Sequence, residues 1–121
     1  MLLETRALNV QLACVWEATA RKAGNVHRFA DFAELTYLDF LRSALAIGPE
    51  LGRAESRSLG ETILAAVQAT RRVVSTNTNL GIVLLLAPLA KVPDKIPLGR
   101  GIAQVLAETT LADAQAAFAA I

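Results

Sequence analysis

The sequence predicts an all-helical fold, a bundle of about six helices around one central apolar helix. Three observations favour it: 54% of the 121 residues are hydrophobic, alanine and leucine dominate among them, and no window alternates apolar and polar residues as a strand would. High hydrophobicity with a net charge of +1 excludes a disordered chain. We expect residues 1–121 to form a single helical domain.

The first helix is predicted from apolar residues at every fourth position. Leu8, Leu12 and Trp16 have this spacing, which is typical of a stripe that faces the core. We expect this helix to end near Gly24, where the periodicity stops. Cys14 would lie inside it as a small packed residue.

The second helix is expected to begin after Thr36, because a threonine hydroxyl can cap the first free N–H groups of a helix. Gly48-Pro49 is predicted to end it, since these residue types are common at helix termini. The side chains expected on its buried face are Leu38, Leu41 and Leu45.

A third and a fourth helix follow. Ile63 and Val67 mark the third, after a polar turn. Residues 75–79 are all cap-forming types and stand directly before the apolar segment 80–90, which predicts a helix that is apolar on every side and therefore central. Pro88 is expected to end or kink this helix.

Two shorter helices are predicted near the C-terminus. Ile102 and Val105 indicate a fifth helix, and Thr110 with Asp113 forms a capping box for a sixth. The segment 111–121 ends without a polar cap, so we expect the chain to be incomplete there and to form the N-terminal part of a larger helical domain. The uncovered apolar faces would favour a homo-oligomer.

The composition argues against some classes of binding partner and indicates a cellular compartment. The near-zero net charge argues against nucleic-acid binding, which depends on clustered positive charge. Cys14 is the single cysteine, so no internal disulfide can form and a cytoplasmic location is expected. The longest apolar run, Leu80 to Ala90, has 11 residues and falls short of the roughly 20 that span a bilayer. We expect no membrane anchor.

Residues 21–28 form the first candidate binding segment. It combines the cations Lys22 and Arg28 with Gly24, which lets backbone approach a ligand closely, and with the titratable imidazole of His27. Such a set suits a phosphate-rich substrate. The same residues are also typical of an ordinary helix C-terminus, where basic side chains complement the dipole and a glycine caps.

The turn of residues 77–81 is the second candidate. Asn77, Thr78 and Asn79 place amide and hydroxyl groups before Gly81 at the start of a helix, where free N–H groups and the dipole favour an anion. Simple N-capping is the alternative. In addition, Asp31 with His27 and neighbouring acids would suit a general base or a magnesium site, although solvated loop charges are the more common explanation for such acids.

The chain resembles the triphosphoribosyl-dephospho-CoA synthase family in three pieces that occur in the family's order. They are Lys22-Ala23-Gly24-Asn25-Val26-His27-Arg28-Phe29, Asp39-Phe40-Leu41-Arg42-Ser43-Ala44 and Asn77-Thr78-Asn79-Leu80-Gly81. The sequence departs from the family's motifs where Arg21 and Ala23 replace prolines, His27 replaces an aspartate, and Asn79 and Leu80 replace a histidine and a lysine. Family members are longer, and the likeness is to their N-terminal half.

The resemblance implies a helical transferase that moves the triphosphoribosyl group of ATP to the ribose 2′-hydroxyl of dephospho-CoA or a related nucleotide, with release of adenine. Magnesium is expected with the triphosphate. His27 or Asp31 would take the hydroxyl proton. The residues implied in nucleotide binding are Lys22, Gly24, Asn25, Arg28, Asn77, Thr78, Asn79 and Gly81. Two further hypotheses stay open: a helical nucleotide-binding module that has lost the chemistry, and an assembly protein.

Overall fold

The computed structural model describes residues 3–20 and 36–121, and within these ranges it contains helices and no strand. The all-helical prediction is therefore confirmed. A 3₁₀ turn, Ala54–Ser56, joins the second helix to the third. The six helices of these ranges are α1 (Leu3–Thr19), α2 (Tyr37–Gly52), α3 (Leu59–Arg71), α4 (Leu80–Lys91), α5 (Leu98–Ala107) and α6 (Leu111–Ala120).

Helices α1 and α2 pack antiparallel. The Gln11 Nε2 atom donates to the Leu45 carbonyl oxygen at 3.0 Å, and the Thr19 and Tyr37 hydroxyl oxygens lie 2.8 Å apart. A later residue of α1 thus meets an earlier residue of α2. As a result, the C-terminal end of α1 lies beside the N-terminal end of α2.

Helices α3 and α4 also run antiparallel to each other. Near the start of α4 the Thr70 hydroxyl lies 3.2 Å from Asn79 Oδ1, while at its end the Lys91 ammonium donates to the carbonyl oxygens of Ala54 and Arg57. Helix α4 packs against α1, α2, α3 and α5, in agreement with the central position expected for it. Its outer face leaves Leu84 and Leu85 exposed.

Helix α6 lies parallel to α3. The Gly60 N–H donates to Asp113 Oδ1 at 2.8 Å near the start of both helices, and Arg71 Nη2 donates to the Ala120 carbonyl oxygen at 2.8 Å near their ends. The predicted capping box of Thr110 and Asp113 is confirmed, as is the cap by Thr36 on α2. These caps fix where the two helices begin.

The buried faces of α1 and α2 differ from the prediction. Leu8 and Trp16 are 64% and 67% exposed, and Leu12, Leu38 and Leu45 are exposed as well, while Leu41 is half-buried. The side chains that the two helices bury instead include Val10, Cys14, Ala18, Ala44, Ile47 and Leu51. Small residues at the contact let the two helices approach closely, so the bulkier leucines point outward.

Proline does not end the helices as expected. Helix α2 continues through Pro49 to Gly52, and α4 continues through Pro88 to Lys91. Both prolines lie in the last turn of their helix, so each helix continues for only three residues beyond its proline. Helix α1 ends at Thr19. None of the described helices is long and apolar enough to cross a membrane.

The core lies between α2, α3 and α4. Its fully buried side chains include Ile47, Leu51 and Val83, and the predicted core residues Ile63 and Val67 of α3 belong to the same cluster. At the end of the bundle where α1 begins and α4 ends, the buried guanidinium of Arg6 pairs with Glu55 at 2.9 Å and with Asp94 at 3.1 Å. These two ion pairs tie α1 to the 3₁₀ turn and to the segment that follows α4.

Candidate functional site

Four structural features meet at one end of the bundle: the end of α1, the start of α2, the end of α3 and the start of α4. The contact of Thr19 with Tyr37 joins the first two, and that of Thr70 with Asn79 joins the last two. A hydrogen bond between the Ser43 and Thr78 hydroxyls connects the two pairs. The polar turn 77–81 therefore lies at the end of the bundle where residues 20 and 36 also lie.

Six of the sequence-predicted site residues lie outside the described residues. They are Lys22, Gly24, Asn25, His27, Arg28 and Asp31. The residues on either side of that segment, Ala20 and Thr36, follow α1 and precede α2. Ala20 and Thr36 thus lie at the same end of the bundle as the turn, which contains the other four predicted residues, Asn77, Thr78, Asn79 and Gly81.

Asn77 acts as a local cap. Its Oδ1 atom accepts a hydrogen bond of 3.1 Å from the backbone N–H of Leu80, the first residue of α4. Simple N-capping therefore explains the hydrogen bond that the oxygen of this amide accepts. Asn77 is exposed, so the rest of its side chain stays accessible to a ligand.

Thr78 is held from inside the bundle. It is 8% exposed, and its hydroxyl contacts that of Ser43, which is 1% exposed. Ser43 Oγ donates its one hydrogen to the Asp39 carbonyl oxygen at 2.7 Å. Since a hydroxyl has a single hydrogen, the Thr78 hydroxyl must donate to Ser43. The Thr78 side chain is therefore committed to positioning the turn.

Asn79 occupies the N-cap position of α4 by backbone geometry, yet among the described contacts its side chain makes no cap hydrogen bond. The amide is buried, with the residue 7% exposed, and its Oδ1 lies 3.2 Å from the Thr70 hydroxyl. The Nδ2 atom has no hydrogen-bond partner in the described part of the chain. The buried hydroxyl of Thr76 likewise has no hydrogen-bond partner among the described residues.

A cavity of about 230 Å³ lies between the end of α3, the turn and the last turn of α6. Its lining combines the polar residues Thr70, Thr76, Asn77 and Asn79 with the apolar residues Val67, Leu80, Ala120 and Ile121. Arg71 also lines the cavity. Of the adjacent arginines at the end of α3, Arg71 is thus the one that reaches this site, as adjacent helical residues point in different directions.

The first turn of α4 is open beside this cavity. Gly81 is exposed, and within the described part of the chain no atom beyond its chain neighbours and its own helix backbone lies within 4 Å of the place where a Cβ would stand. The N-terminal N–H groups and the helix dipole make such a position favourable for an anion. Residues 3–20 and 36–121 contain no cluster of three His, Cys, Asp or Glu side chains that would hold a metal ion.

Two residues of this site were missed from the sequence. Ser43 and Thr70 face the turn from α2 and α3, and only the packing of those helices brings them there. Neither stands in a pattern that marks a polar contact. Ser43 does fall within a segment that resembles the family, which gave the one available signal.

Comparison with protein families gives one match to the chain. The model of a family described as ATP:dephospho-CoA triphosphoribosyl transferase matches residues 3–121, which include every element of the fold and the turn 77–81. Neither the curated proteins nor the solved structures include a match.

Proposed function

Because the chain belongs to the ATP:dephospho-CoA triphosphoribosyl transferase family, we propose that it catalyses transfer of the triphosphoribosyl group of ATP to dephospho-CoA or a related nucleotide. In this reaction the 2′-hydroxyl oxygen of the acceptor bonds to C1′ of the ATP ribose. The bond from C1′ to the adenine nitrogen breaks, adenine leaves, and the hydroxyl proton passes to a base. The match across residues 3–121 is the observation that carries the proposal.

The geometry of the turn supports a nucleotide site at this end of the bundle. An exposed Gly81 at the start of α4 leaves the helix N-terminus accessible. Three phosphates carry several negative charges, which such an N-terminus and a nearby guanidinium favour. Arg71 supplies that guanidinium. We propose that Asn77 and Gly81 contact the phosphates or the ribose, and that Thr78 holds the turn in shape.

The remaining roles fall to residues 22–31, outside the described residues. We propose that Lys22 and Arg28 bind the triphosphate, with Gly24 and Asn25 close to it, and that His27 or Asp31 accepts the hydroxyl proton. Proximity supports this assignment, because Ala20 and Thr36 lie at the end of the bundle that carries the turn.

Magnesium belongs to this proposal as part of the substrate. Mg²⁺ commonly binds through phosphate oxygens, water and one or two carboxylates, and does not need a cage of protein ligands. Asp39 is linked to the turn through Ser43, but its carboxylate already accepts from the Thr36 N–H at 3.1 Å and pairs with Arg42 at 3.6 Å. No metal ligand is assigned to it.

The test is release of adenine from ATP. The chain is incubated with Mg²⁺, ATP and dephospho-CoA, and adenine is separated and quantified. We expect adenine to form only when an acceptor is present, and Lys22→Ala and Asn77→Ala to reduce its formation. Lys95→Ala is the matched control, because this exposed lysine lies between α4 and α5, at the opposite end of α4 from the turn. A folded chain that releases no adenine would refute the proposal.

A second candidate is a helical nucleotide-binding module without the chemistry. The specific observation that favours it is the replacement of the family's aspartate by His27 and of its histidine and lysine by Asn79 and Leu80. A thermal melt separates the two candidates. ATP at 100 times its dissociation constant stabilises a folded domain by about 2.7 kcal/mol, so a melt that shifts with ATP in a chain that releases no adenine identifies the module.

A further inference from the structure

We propose that the 230 Å³ cavity behind the turn 77–81 binds the adenine ring of the nucleotide, with Asn79 as the residue that recognises it. The inference rests on the proposed function, which requires a place for the base that leaves. It goes further by assigning the base to one cavity and one side chain.

The polar residues that line the cavity include hydrogen-bonding groups that the fold leaves unused. Asn79 is more than nine-tenths buried, and its Nδ2 atom has no partner among the described residues. The same holds for the hydroxyl oxygen of Thr76. Both residues line the cavity. A buried polar group without a partner is costly, so an unused pair beside a cavity points to a ligand with polar atoms.

The hydrogen bonds of Thr70 strengthen this argument. Its hydroxyl has one hydrogen and two acceptors, the Ala66 carbonyl oxygen and Asn79 Oδ1, each 3.2 Å away. If Thr70 donates to Ala66, the Asn79 amide gains by turning over so that its nitrogen faces Thr70. In one orientation the unused atom is the amide nitrogen, and in the other it is the oxygen. Either way Asn79 keeps hydrogen-bonding capacity for a ligand.

The mixed lining favours a base over a phosphate group. Val67 and Leu80 line the cavity beside the polar residues, and a phosphate placed against these side chains would lose hydration without compensation. The guanidinium of Arg71 donates through Nη2 to the Ala120 carbonyl oxygen, and its other N–H groups can serve a phosphate outside the cavity. A flat heterocycle, which has polar atoms on its edge and apolar faces, matches a cavity whose lining contains both kinds of side chain.

The size of the cavity is consistent with one ring system. Pockets for drug-sized ligands measure roughly 300–1,000 Å³, so 230 Å³ suits a single part of a nucleotide. The ribose and the phosphates would then lie outside it, toward the open start of α4 at Gly81. This division places the C1′ carbon at the mouth of the cavity, where an acceptor hydroxyl can reach it.

Asparagine is well matched to adenine among the bases. An amide oxygen has two lone pairs and an amide nitrogen has two hydrogens, so Asn79 can contact Thr70 and still pair with the base. Its oxygen would accept from the N6 amine while its nitrogen donates to N7, and a good pair of this kind gives about a 5- to 150-fold preference. Hypoxanthine carries a carbonyl in place of the amine and loses half of the pair. The cavity should therefore bind adenine more tightly than hypoxanthine.

The experiment measures binding of free adenine, hypoxanthine and tripolyphosphate to the chain by calorimetry. We expect adenine to bind about 5- to 150-fold more tightly than hypoxanthine, and Asn79→Leu to remove this preference. Thr62→Val is the matched control, because Thr62 is a fully buried polar residue of α3 that does not line the cavity. Thr76→Val, which removes an unused hydroxyl, serves as a second variant if Asn79→Leu does not fold, and we expect it to weaken adenine binding.

The outcomes separate this inference from the proposed function. Equal binding of adenine and hypoxanthine, competition between adenine and tripolyphosphate for one site, or unchanged adenine binding in both cavity variants would overturn the assignment of the base. If the chain nevertheless releases adenine from ATP, the transferase proposal survives and the cavity assignment alone is wrong. Selective, Asn79-dependent binding of adenine in a chain that releases none would support the cavity and refute the transferase.

Discussion

The side-chain amide of Gln11 donates a 3.0 Å hydrogen bond to the main-chain carbonyl of Leu45 and so joins α1 to α2. This carbonyl would receive the N–H of residue 49 in a regular helix, but Pro49 has none. Gly48 leaves the space that the amide occupies, because a Cβ there would stand 2.4 Å from Gln11 Nε2. The proline that was expected to end α2 instead exposes a docking point for α1.

We predict that Gln11→Leu lowers the free energy of unfolding by about 0.5–1.5 kcal/mol, the net value of one hydrogen bond. In a Pro49→Ala background the residue 49 N–H can bond to Leu45, so the same change should cost less. Urea denaturation of the four chains measures this coupling. Equal costs in both backgrounds would show that the proline and the glutamine act independently.

Gly60 and Asp113 provide a second prediction, at the contact of α3 with α6. A Cβ at residue 60 would lie 2.6 Å from Asp113 Cα and 2.7 Å from its carbonyl oxygen, and backbone atoms cannot move aside easily. We predict that Gly60→Ala destabilises the chain by about 1–3 kcal/mol, the usual cost of overpacking, and that hydrogen exchange in α6 accelerates.

Gly99→Ala is the control for that variant. Gly99 lies in the first turn of α5, and no described atom beyond its chain neighbours and its own helix backbone lies within 4 Å of the place where the alanine methyl group would stand. Alanine favours a helix over glycine by up to about 1 kcal/mol, so this change should be neutral or stabilising. Equal destabilisation by both substitutions would mean that the close approach of α6 is not the cause.

The hydrogen bonds of Asp113 predict that the stability of the fold depends on pH. Hydrogen bonds from the backbone N–H groups of Gly60 and Thr110 hold the pKa of its carboxyl below the ordinary value of 3.8. Because the folded-state pKa is the lower one, the carboxylate contributes stability above pH 3.8, and this is lost as the pH falls through the folded-state pKa. Asp113→Asn should therefore be less stable than the parent at pH 7, and the gap should narrow below about pH 4. A gap that stays constant from pH 7 to pH 3 would contradict this.

Cys14 predicts slow alkylation of the folded chain. Burial, with a smaller effect from Glu17, raises the pKa of its thiol from 9.0 to about 11. Since the thiolate is the reactive form, its population at pH 8 should fall about 100-fold, and burial should slow the reagent further. Iodoacetamide labelling is expected to be slow in buffer and fast in guanidinium chloride. Similar rates in both would show that α1 opens readily at this position.

How much of the fold follows from the sequence depends on how local each signal is. The caps at Thr36 and Thr110 were predicted because the groups that form each bond lie three residues apart. The buried face of α1 was not, because the rule that large apolar residues point inward fails where helices meet through small ones. Trp16 is exposed while Ala18 is buried, and that depends on where α2 lies.

The candidate site likewise contains some features that the sequence predicts and others that it does not. Residues 77–81 could be picked out because a run of cap-forming residues precedes an apolar helix. The cavity beside them could not, since it forms only when the ends of α3 and α6 meet the turn. Which polar groups remain unused, such as Asn79 Nδ2, depends on three-dimensional neighbours such as Thr70.

The final prediction concerns the hydrogen bond between the Ser43 and Thr78 hydroxyls. Losing this bond should cost more stability when Ser43 is replaced than when Thr78 is replaced. Without Ser43, the buried Thr78 hydroxyl loses its acceptor, and an unpaired buried group costs about 1–3 kcal/mol. Without the Thr78 hydroxyl, Ser43 still donates to the Asp39 carbonyl oxygen. We therefore predict that Ser43→Ala destabilises the chain more than Thr78→Val does.

The double variant makes this test decisive. Replacing both hydroxyls leaves no unpaired group, so Ser43→Ala with Thr78→Val should be more stable than Ser43→Ala alone. Denaturant unfolding of the three variants measures the order of stability. Because Ser43 positions the turn, we also expect Ser43→Ala to raise the KM for ATP in the adenine-release assay more than it lowers kcat. A double variant less stable than either single one would mean that the two hydroxyls contribute independently and that the turn is held by other contacts.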